Sequence, residues 1–156
     1  MGTPSAQAVA LILPLMVSLM TTLGTILIHG LAVIVIVHFI RRQHRLGRIG
    51  VRFWQDVAIV CTATLLGGAA HLLEITIWAL VFVCCGEFAQ FAGAFYHSAT
   101  NYTTLGYGDV VMTPSWRLLG PLEAADGMLM FGVSTAIIVS VIQLMVRTRF
   151  RDLPTF

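Results

Sequence analysis

Three long apolar segments dominate the sequence and limit the folds open to it. They cover residues 8–40, 53–85 and 118–146. A helix needs roughly 20 apolar residues to cross the hydrocarbon of a bilayer. Hydrophobic residues make up 58% of the chain and charged residues only 10%, whereas about a quarter of the residues of a soluble domain are charged. We therefore predict an all-α membrane protein with three transmembrane helices.

The first apolar segment, 8–40, is longer than one crossing requires. At about 1.5 Å per residue it would measure roughly 50 Å as a helix. The hydrocarbon is only about 30 Å thick, so the helix must tilt, project beyond the bilayer or break. Of these three alternatives, a break would fall near Pro14.

The basic residues are concentrated at two places. The segment 41–52 separates the first two apolar segments, and the third is followed by Arg147, Arg149 and Arg151. Three crossings put both clusters on one side, which the positive-inside rule makes cytoplasmic. We expect a multi-pass protein of the plasma (inner) membrane with its N-terminus outside and its C-terminus in the cytoplasm. We expect no nucleic-acid partner, since the arginines fit membrane orientation better.

The segment 41–52 is a predicted basic cytoplasmic loop with five arginines. These side chains orient the protein, and they can also bind anionic headgroups among the membrane lipids, because each cation beside an anionic leaflet is attracted to it. The five are Arg41, Arg42, Arg45, Arg48 and Arg52.

Between the second and third segments lies a sequence unlike its surroundings. Residues 87–102 predict a short helix, and residues 103–109 read Thr-Thr-Leu-Gly-Tyr-Gly-Asp. Gly106 and Gly108 allow positive φ, so successive carbonyls can turn toward a common axis. Four such loops would stack rings of oxygens that replace the hydration shell of a potassium ion. Irregular backbone at membrane depth is tolerated where it is buried in protein or lines water, so we predict a re-entrant helix and loop.

Residues 87–143 resemble the pore domain of tetrameric potassium channels, in which the usual motif has valine at the position of Leu105. The resemblance implies a homotetramer with potassium as the permeant ion. It implies that Tyr107 points away from the ion, and that Gly108 lets the chain leave the ring. The residues placed by resemblance at the ion are Thr104, Leu105, Gly106, Tyr107 and Gly108.

The resemblance also implies the support of this loop. Asp109 would form an anionic ring at the outer mouth. Many family members bond that aspartate to a tryptophan, and here Tyr96 stands at the matching position. Thr100 and Thr103 fall behind and beside the loop.

The third apolar segment corresponds to the inner helix of that family. Gly127 and Gly132 fall at the two positions where such helices bend, although glycine also permits close helix packing, and both readings stay open. By resemblance, residues with helical spacing line the central cavity and gate: Thr135, Ala136, Val139, Ser140 and Gln143.

Four ionisable residues fall within the predicted crossings, where charge is costly. Two interpretations are open. The group either titrates and makes the loop sensitive to pH, or braces the short helix as a permanently protonated or paired cluster. Its members are His71, Glu74, Glu123 and Asp126.

The sequence therefore predicts a pore domain over 53–146 that conducts potassium passively. A non-selective cation channel and a non-conducting accessory subunit of another channel are the alternatives. We expect no enzyme, because neither a nucleophile–base pair nor a set of catalytic metal ligands is evident.

Overall fold

The computed structural model describes residues 4–150, and Arg151 lies outside them. Within that range the chain forms four α-helices and no strand. They are α1 (Pro4–Arg45), α2 (Phe53–Cys84), α3 (Phe91–Tyr102) and α4 (Leu119–Arg149). Three of them are long and apolar enough to cross a membrane, over Leu11–Arg45, Phe53–Cys84 and Leu119–Arg149. The all-α class and three long apolar helices agree with the sequence prediction.

Helix α1 continues through Pro14, so the break considered at that residue does not occur. The helix also runs to Arg45, five residues beyond the predicted end at 40. Three of the five arginines of the segment 41–52 are therefore helical. Arginine has good helix propensity, and cations near a helix C-terminus interact favourably with its dipole.

Gly47 ends α1. It has a φ of 63°, and its N–H donates to the His44 carbonyl at 3.0 Å. The Arg48 N–H donates to the Gln43 carbonyl at 3.1 Å. This pair of bonds is a Schellman motif, which closes a helix on a residue with positive φ, usually glycine. The connection to α2 is therefore limited to residues 46–52.

Helix α2 ends in the same way. Gly86 has a φ of 78°, and the Glu87 N–H returns to the Phe82 carbonyl at 3.1 Å. This turn occupies the first residue of the predicted segment 87–102, and helix α3 begins at Phe91. The Glu87 carboxylate instead accepts hydrogen bonds from the hydroxyl and the N–H of Thr113, at 2.6 and 2.7 Å. Glu87 thus ties the chain before α3 to the chain before α4.

The chain divides into two compact units. The first contains α1 as far as Ile28, together with His71–Met130. Its core is aromatic and joins α2, α3 and α4. Trp78, Phe82, Tyr102 and Leu119 are all completely buried there.

The second unit contains His29–Ala70 and the chain from Phe131 onward. Its core is aliphatic, with members on α1, α2 and α4: Ile36, Ile40, Ile49, Ile59, Ala63, Val141 and Met145. Asp56, on the first turn of α2, organises one end of this unit. It accepts the Gly50 N–H at 2.9 Å and forms an ion pair with Arg149 at 2.9 Å. The α1–α2 connection and the end of α4 therefore lie together, as the two arginine clusters predicted.

Gly127 permits the close approach of α4 to α3 within the first unit. A Cβ at this position would lie 2.0 Å from the backbone oxygen of Tyr102. A Cβ at Gly132 would have nothing within 4 Å. Close packing therefore accounts for Gly127, whereas packing within the chain gives no reason for Gly132.

We predict that Gly127→Ala lowers the melting temperature markedly and that Gly132→Ala does not. Overpacking costs about 1–3 kcal/mol or more when backbone must move, and at Gly127 the obstructing atom is a backbone oxygen. An alanine in an open helical position is up to about 1 kcal/mol more favourable than glycine. Thermal unfolding of both purified variants in detergent measures the difference. Equal melting temperatures would contradict the packing role of Gly127.

Candidate functional site

The segment 103–109, called the filter segment, directly follows α3 and begins with a turn at Thr103 and Thr104. Its backbone alternates in handedness. Thr104, Gly106 and Gly108 have φ values of 60°, 53° and 73°, whereas Leu105 and Tyr107 do not have positive φ. Positive φ at every second residue allows successive carbonyls to turn toward the same side of the chain. Thr104 is the only non-glycine residue in the described range with positive φ, a conformation that is uncommon outside glycine and is often functional.

Hydrogen bonds hold the filter segment to α3. The Gly106 N–H donates to the Thr100 carbonyl at 3.0 Å, and the Thr103 hydroxyl donates to the Ala99 carbonyl at 2.7 Å. At the far end, the Tyr96 hydroxyl donates to the Asp109 carboxylate at 2.8 Å. The bond to Asp109 raises the pKa of Tyr96 above its usual value, so the hydroxyl keeps its proton at neutral pH.

His97 provides a second attachment beside Tyr96. Its ring packs between Phe82 and Phe88, with ring centroids 5.4 and 5.2 Å away, and its Nε2 lies 2.9 Å from the side-chain nitrogen of Asn101. Burial lowers the pKa of His97, although a hydrogen bond to the Val110 backbone and nearby carboxylates act in the opposite direction. The ring is therefore neutral at pH 7, and it connects α3 to the chain just after the filter segment.

The filter segment is exposed in the single chain. Leu105 is 55% exposed and Tyr107 is 67% exposed, so the tyrosine does not pack against α3 of its own chain. One face of α4 is also exposed, and it carries the five residues predicted to line a cavity: Thr135, Ala136, Val139, Ser140 and Gln143. Ala136 and Ser140 also border a groove beside α1, which the other three do not.

The predicted ionisable group connects four helices. Glu74, on α2, is completely buried and accepts a hydrogen bond from the Tyr102 hydroxyl at the end of α3. His71, one turn earlier, lies 3.2 Å from both the Glu74 carboxylate and the Tyr102 hydroxyl. This part of the group therefore joins α2 to the last residue before the filter segment.

Glu123, on α4, is also completely buried. Its Oε1 lies 2.5 Å from the Ser98 hydroxyl of α3, and the same hydroxyl lies 2.8 Å from the Ile75 carbonyl of α2. A hydroxyl has one proton, and a carbonyl can only accept. A protonated Glu123 satisfies both contacts at once, whereas an ionised one must share the Ser98 proton with Ile75.

Asp126 joins α4 to two other helices. Its Oδ2 accepts the Trp78 indole N–H at 2.9 Å and lies 2.8 Å from the Thr25 hydroxyl. Thr25 belongs to α1 and is completely buried. Asp126 thus provides a polar contact between α1, α2 and α4 in the first unit.

Sequence reasoning did not identify the partners of these carboxylates. Each partner is an ordinary helical residue whose role depends on which helix faces it: Thr25, Trp78, Ser98 and Tyr102. The one available signal was that a buried carboxylate requires hydrogen-bond donors, which indicates that partners exist without naming them. The five arginines of 41–52 are exposed, as expected of groups that face headgroups or water.

A protein-family model described as "Ion channel" matches residues 70–144. The match includes the second half of α2 from residue 70, all of α3, the filter segment and most of α4, and it leaves α1 outside. No curated protein and no solved structure matches the chain.

We predict that Thr25→Val destabilises the protein and that Thr22→Val, one turn earlier on α1, does not. Valine keeps the size of Thr25 but removes the hydroxyl that lies 2.8 Å from both the buried Asp126 carboxyl and the Thr22 carbonyl. Loss of a partner for a buried polar group costs about 1–3 kcal/mol. Thr22 is only half-buried. Melting temperatures in detergent compare the two variants. A loss at Thr22→Val equal to that at Thr25→Val would show that α1 docks without this bond.

We predict that acidification weakens the packing around His97. The pKa of His97 is lowered in the folded protein, so its stabilising effect is complete above the unfolded value of about 6.5 and is lost as the pH falls through the folded value. Phenylalanine fills a similar space and does not titrate. The melting temperature of His97→Phe should therefore fall less between pH 7 and pH 5 than that of the parent protein. Parallel pH profiles would contradict the assignment.

Proposed function

We propose that this chain, which belongs through residues 70–144 to the pore-loop ion channel family, forms a potassium-selective pore as a homotetramer. Membership of the family supports a multi-pass membrane protein that conducts ions passively and does not catalyse a reaction. Beyond the family match, we propose the identity of the permeant ion, potassium, and the number of chains that form the pore, four.

The alternating backbone of the filter segment carries the proposal. Positive φ at every second residue, from Thr104 to Gly108, is the conformation that aims consecutive carbonyls the same way. Carbonyl oxygens in rings can replace the water around a potassium ion. Thr104 adds its hydroxyl at the inner end, and the carbonyls of Leu105, Gly106 and Tyr107 follow.

Assembly into four copies follows from what one chain supplies. A single chain has one filter segment, and a ring of oxygens needs several around one axis. Leu105 and Tyr107 are exposed in the single chain, and a neighbouring copy would cover them. In the tetramer Tyr107 packs against α3 of the next subunit and holds the ring open, and α3 is the re-entrant pore helix.

The bond between Tyr96 and Asp109 supports the outer end of the path. It fixes the aspartate where the filter segment leaves the ring, so four copies place four carboxylates around the mouth. An anionic ring concentrates cations before they enter. By the positive-inside rule, the arginines of 41–52 and of the end of α4 favour a cytoplasmic location for these two stretches of the chain.

Helix α4 supplies the inner part of the pore. Its exposed face from Thr135 to Gln143 lines the cavity and gate. Gly132 is the bend, because no side chain of its own chain restrains it, whereas Gly127 is fixed against α3. The buried carboxyl groups hold α3 in place through hydrogen bonds. In this role Glu123 carries a proton.

Reconstitution into liposomes tests the proposal. With potassium on one side and sodium on the other, the reversal potential of the current should follow the potassium gradient. A reversal potential that follows sodium equally would refute selectivity, and an absence of current with intact tetramers would favour an accessory subunit.

Tyr96→Phe provides a matched variant for the same measurement. It removes one hydroxyl and no ring, so the fold should persist while Asp109 loses its hydrogen bond. We expect a smaller or less sustained potassium current than in the parent protein, with the melting temperature nearly unchanged, since the pair is exposed. An identical current would show that this bond does not support conduction.

A further inference from the structure

An apolar groove runs between α1 and α4 in the second unit. Its volume is about 500 Å³, within the range of roughly 300–1,000 Å³ typical of sites for small molecules. Aliphatic side chains form its walls, Val33 and Val37 on α1 and Ile137 and Val141 on α4 among them. From Val33 to Arg41 the groove follows α1 for about 12 Å at 1.5 Å per residue.

One end of the groove is basic. An adjoining cavity of about 380 Å³ is lined by Arg41, His44 and Arg45, and it shares Ile40, Arg41 and Leu144 with the groove. Positions 41, 44 and 45 lie on the same face of α1, because residues three and four apart are neighbours on a helix. The apolar groove and the basic end are therefore continuous along one face.

The two arginines at this end have no acidic partner among the residues that the structure describes. Within residues 4–150, neither Arg41 nor Arg45 has an acidic group within ion-pair distance. Arg149, at the same end of the unit, has Asp56 at 2.9 Å. Arg41 and Arg45 thus present two guanidinium groups beside a groove whose lining is predominantly aliphatic.

We propose that this groove binds one anionic phospholipid, with an acyl chain against α1 and α4 and the phosphate at Arg41 and Arg45. Guanidinium groups bind phosphate oxygens through charge-assisted, often bidentate, hydrogen bonds. The length of the groove is close to half the roughly 30 Å of bilayer hydrocarbon, so one leaflet supplies the lipid.

The combination of an apolar groove and a basic end distinguishes a lipid from a soluble anion. Free phosphate would occupy the basic end and leave the groove unfilled, whereas a lipid covers both parts. Of the five arginines of 41–52, only Arg41 and Arg45 line this site. Arg42 and Arg48 are exposed but do not line the groove or its basic end, so they offer a control of equal charge.

The test is the binding of phosphatidylglycerol and phosphatidylcholine to the purified full chain, followed by native mass spectrometry during lipid titration. The parent protein should retain phosphatidylglycerol in preference to phosphatidylcholine. Each basic residue near an anionic lipid contributes about a fivefold gain. The double variant Arg41→Gln/Arg45→Gln should therefore bind phosphatidylglycerol roughly 25-fold more weakly, and Arg42→Gln/Arg48→Gln should bind it almost normally. Equal losses in both double variants would overturn the site.

A second pair of variants tests the groove. Val37 is half-buried and lines it, whereas Val35 is 54% exposed and does not. Val37→Trp should reduce retention of phosphatidylglycerol, and Val35→Trp should not. Retention unchanged by Val37→Trp, or full displacement of the lipid by glycerol 3-phosphate, would show that the acyl chain lies elsewhere and refute the proposal.

The oligomeric state provides the remaining outcome. If Val37→Trp breaks the assembly while lipid retention never depends on Arg41 and Arg45, a second copy of the chain covers the groove and the proposal fails. None of these readouts involves ion flux. A failure of potassium selectivity in liposomes would therefore leave this inference standing, and a failure of lipid binding would leave the proposed pore standing.

Discussion

Burial of carboxyl groups among apolar helices is the constraint on which the first unit depends. A carboxyl group removed from water must find hydrogen-bond partners or its burial costs several kcal/mol. Glu74, Glu123 and Asp126 find theirs on other helices: Tyr102, Ser98, Trp78 and Thr25. Helix packing in lipid has little hydrophobic driving force, so these directional contacts specify which helices meet and in what register.

The filter segment depends on this framework at both ends. Before it, Tyr102 is fixed by Glu74, and its backbone oxygen lies against Gly127. After it, Asp109 is bonded to Tyr96. A strained backbone persists only where its surroundings over-determine it, and the positive φ of Thr104 has such surroundings. The short helix α3 is therefore the element that transmits order from the buried core to the exposed loop.

The sequence predicted the architecture well where the signal was local. Apolar length indicated three of the helices, and α2 begins at Phe53, as expected from the sequence. Errors arose where a glycine turn decided the boundary. Gly47 and Gly86 end their helices through bonds to carbonyls of the preceding turn, so α1 extends through Arg45 and α3 begins only at Phe91. Apolar periodicity carries no information on those bonds.

The contacts around the candidate site were only partly predictable from the sequence. The bond from Tyr96 to Asp109 was expected from the resemblance, because the tyrosine hydroxyl reaches as a tryptophan N–H would. The partners of the buried carboxylates were not, since Thr25 and Ser98 become partners only through helix packing between residues distant in sequence. The two glycines of α4 look equivalent in sequence, and only the backbone oxygen of Tyr102 distinguishes Gly127 from Gly132.

Asp56 has a mechanical consequence for the second unit. One carboxylate holds the Gly50 N–H and the Arg149 guanidinium, and the backbone of α4 packs so closely on Gly50 that an added Cβ would lie 3.0 Å from the Arg149 nitrogen. The last turn of α4 is therefore held against the start of α2. Movement of this turn away from α2 requires the ion pair between Asp56 and Arg149 to break. Because the pair is partly exposed, dissolved salt weakens it, so the stiffness of this end of the molecule depends on the ionic strength of the solution around it.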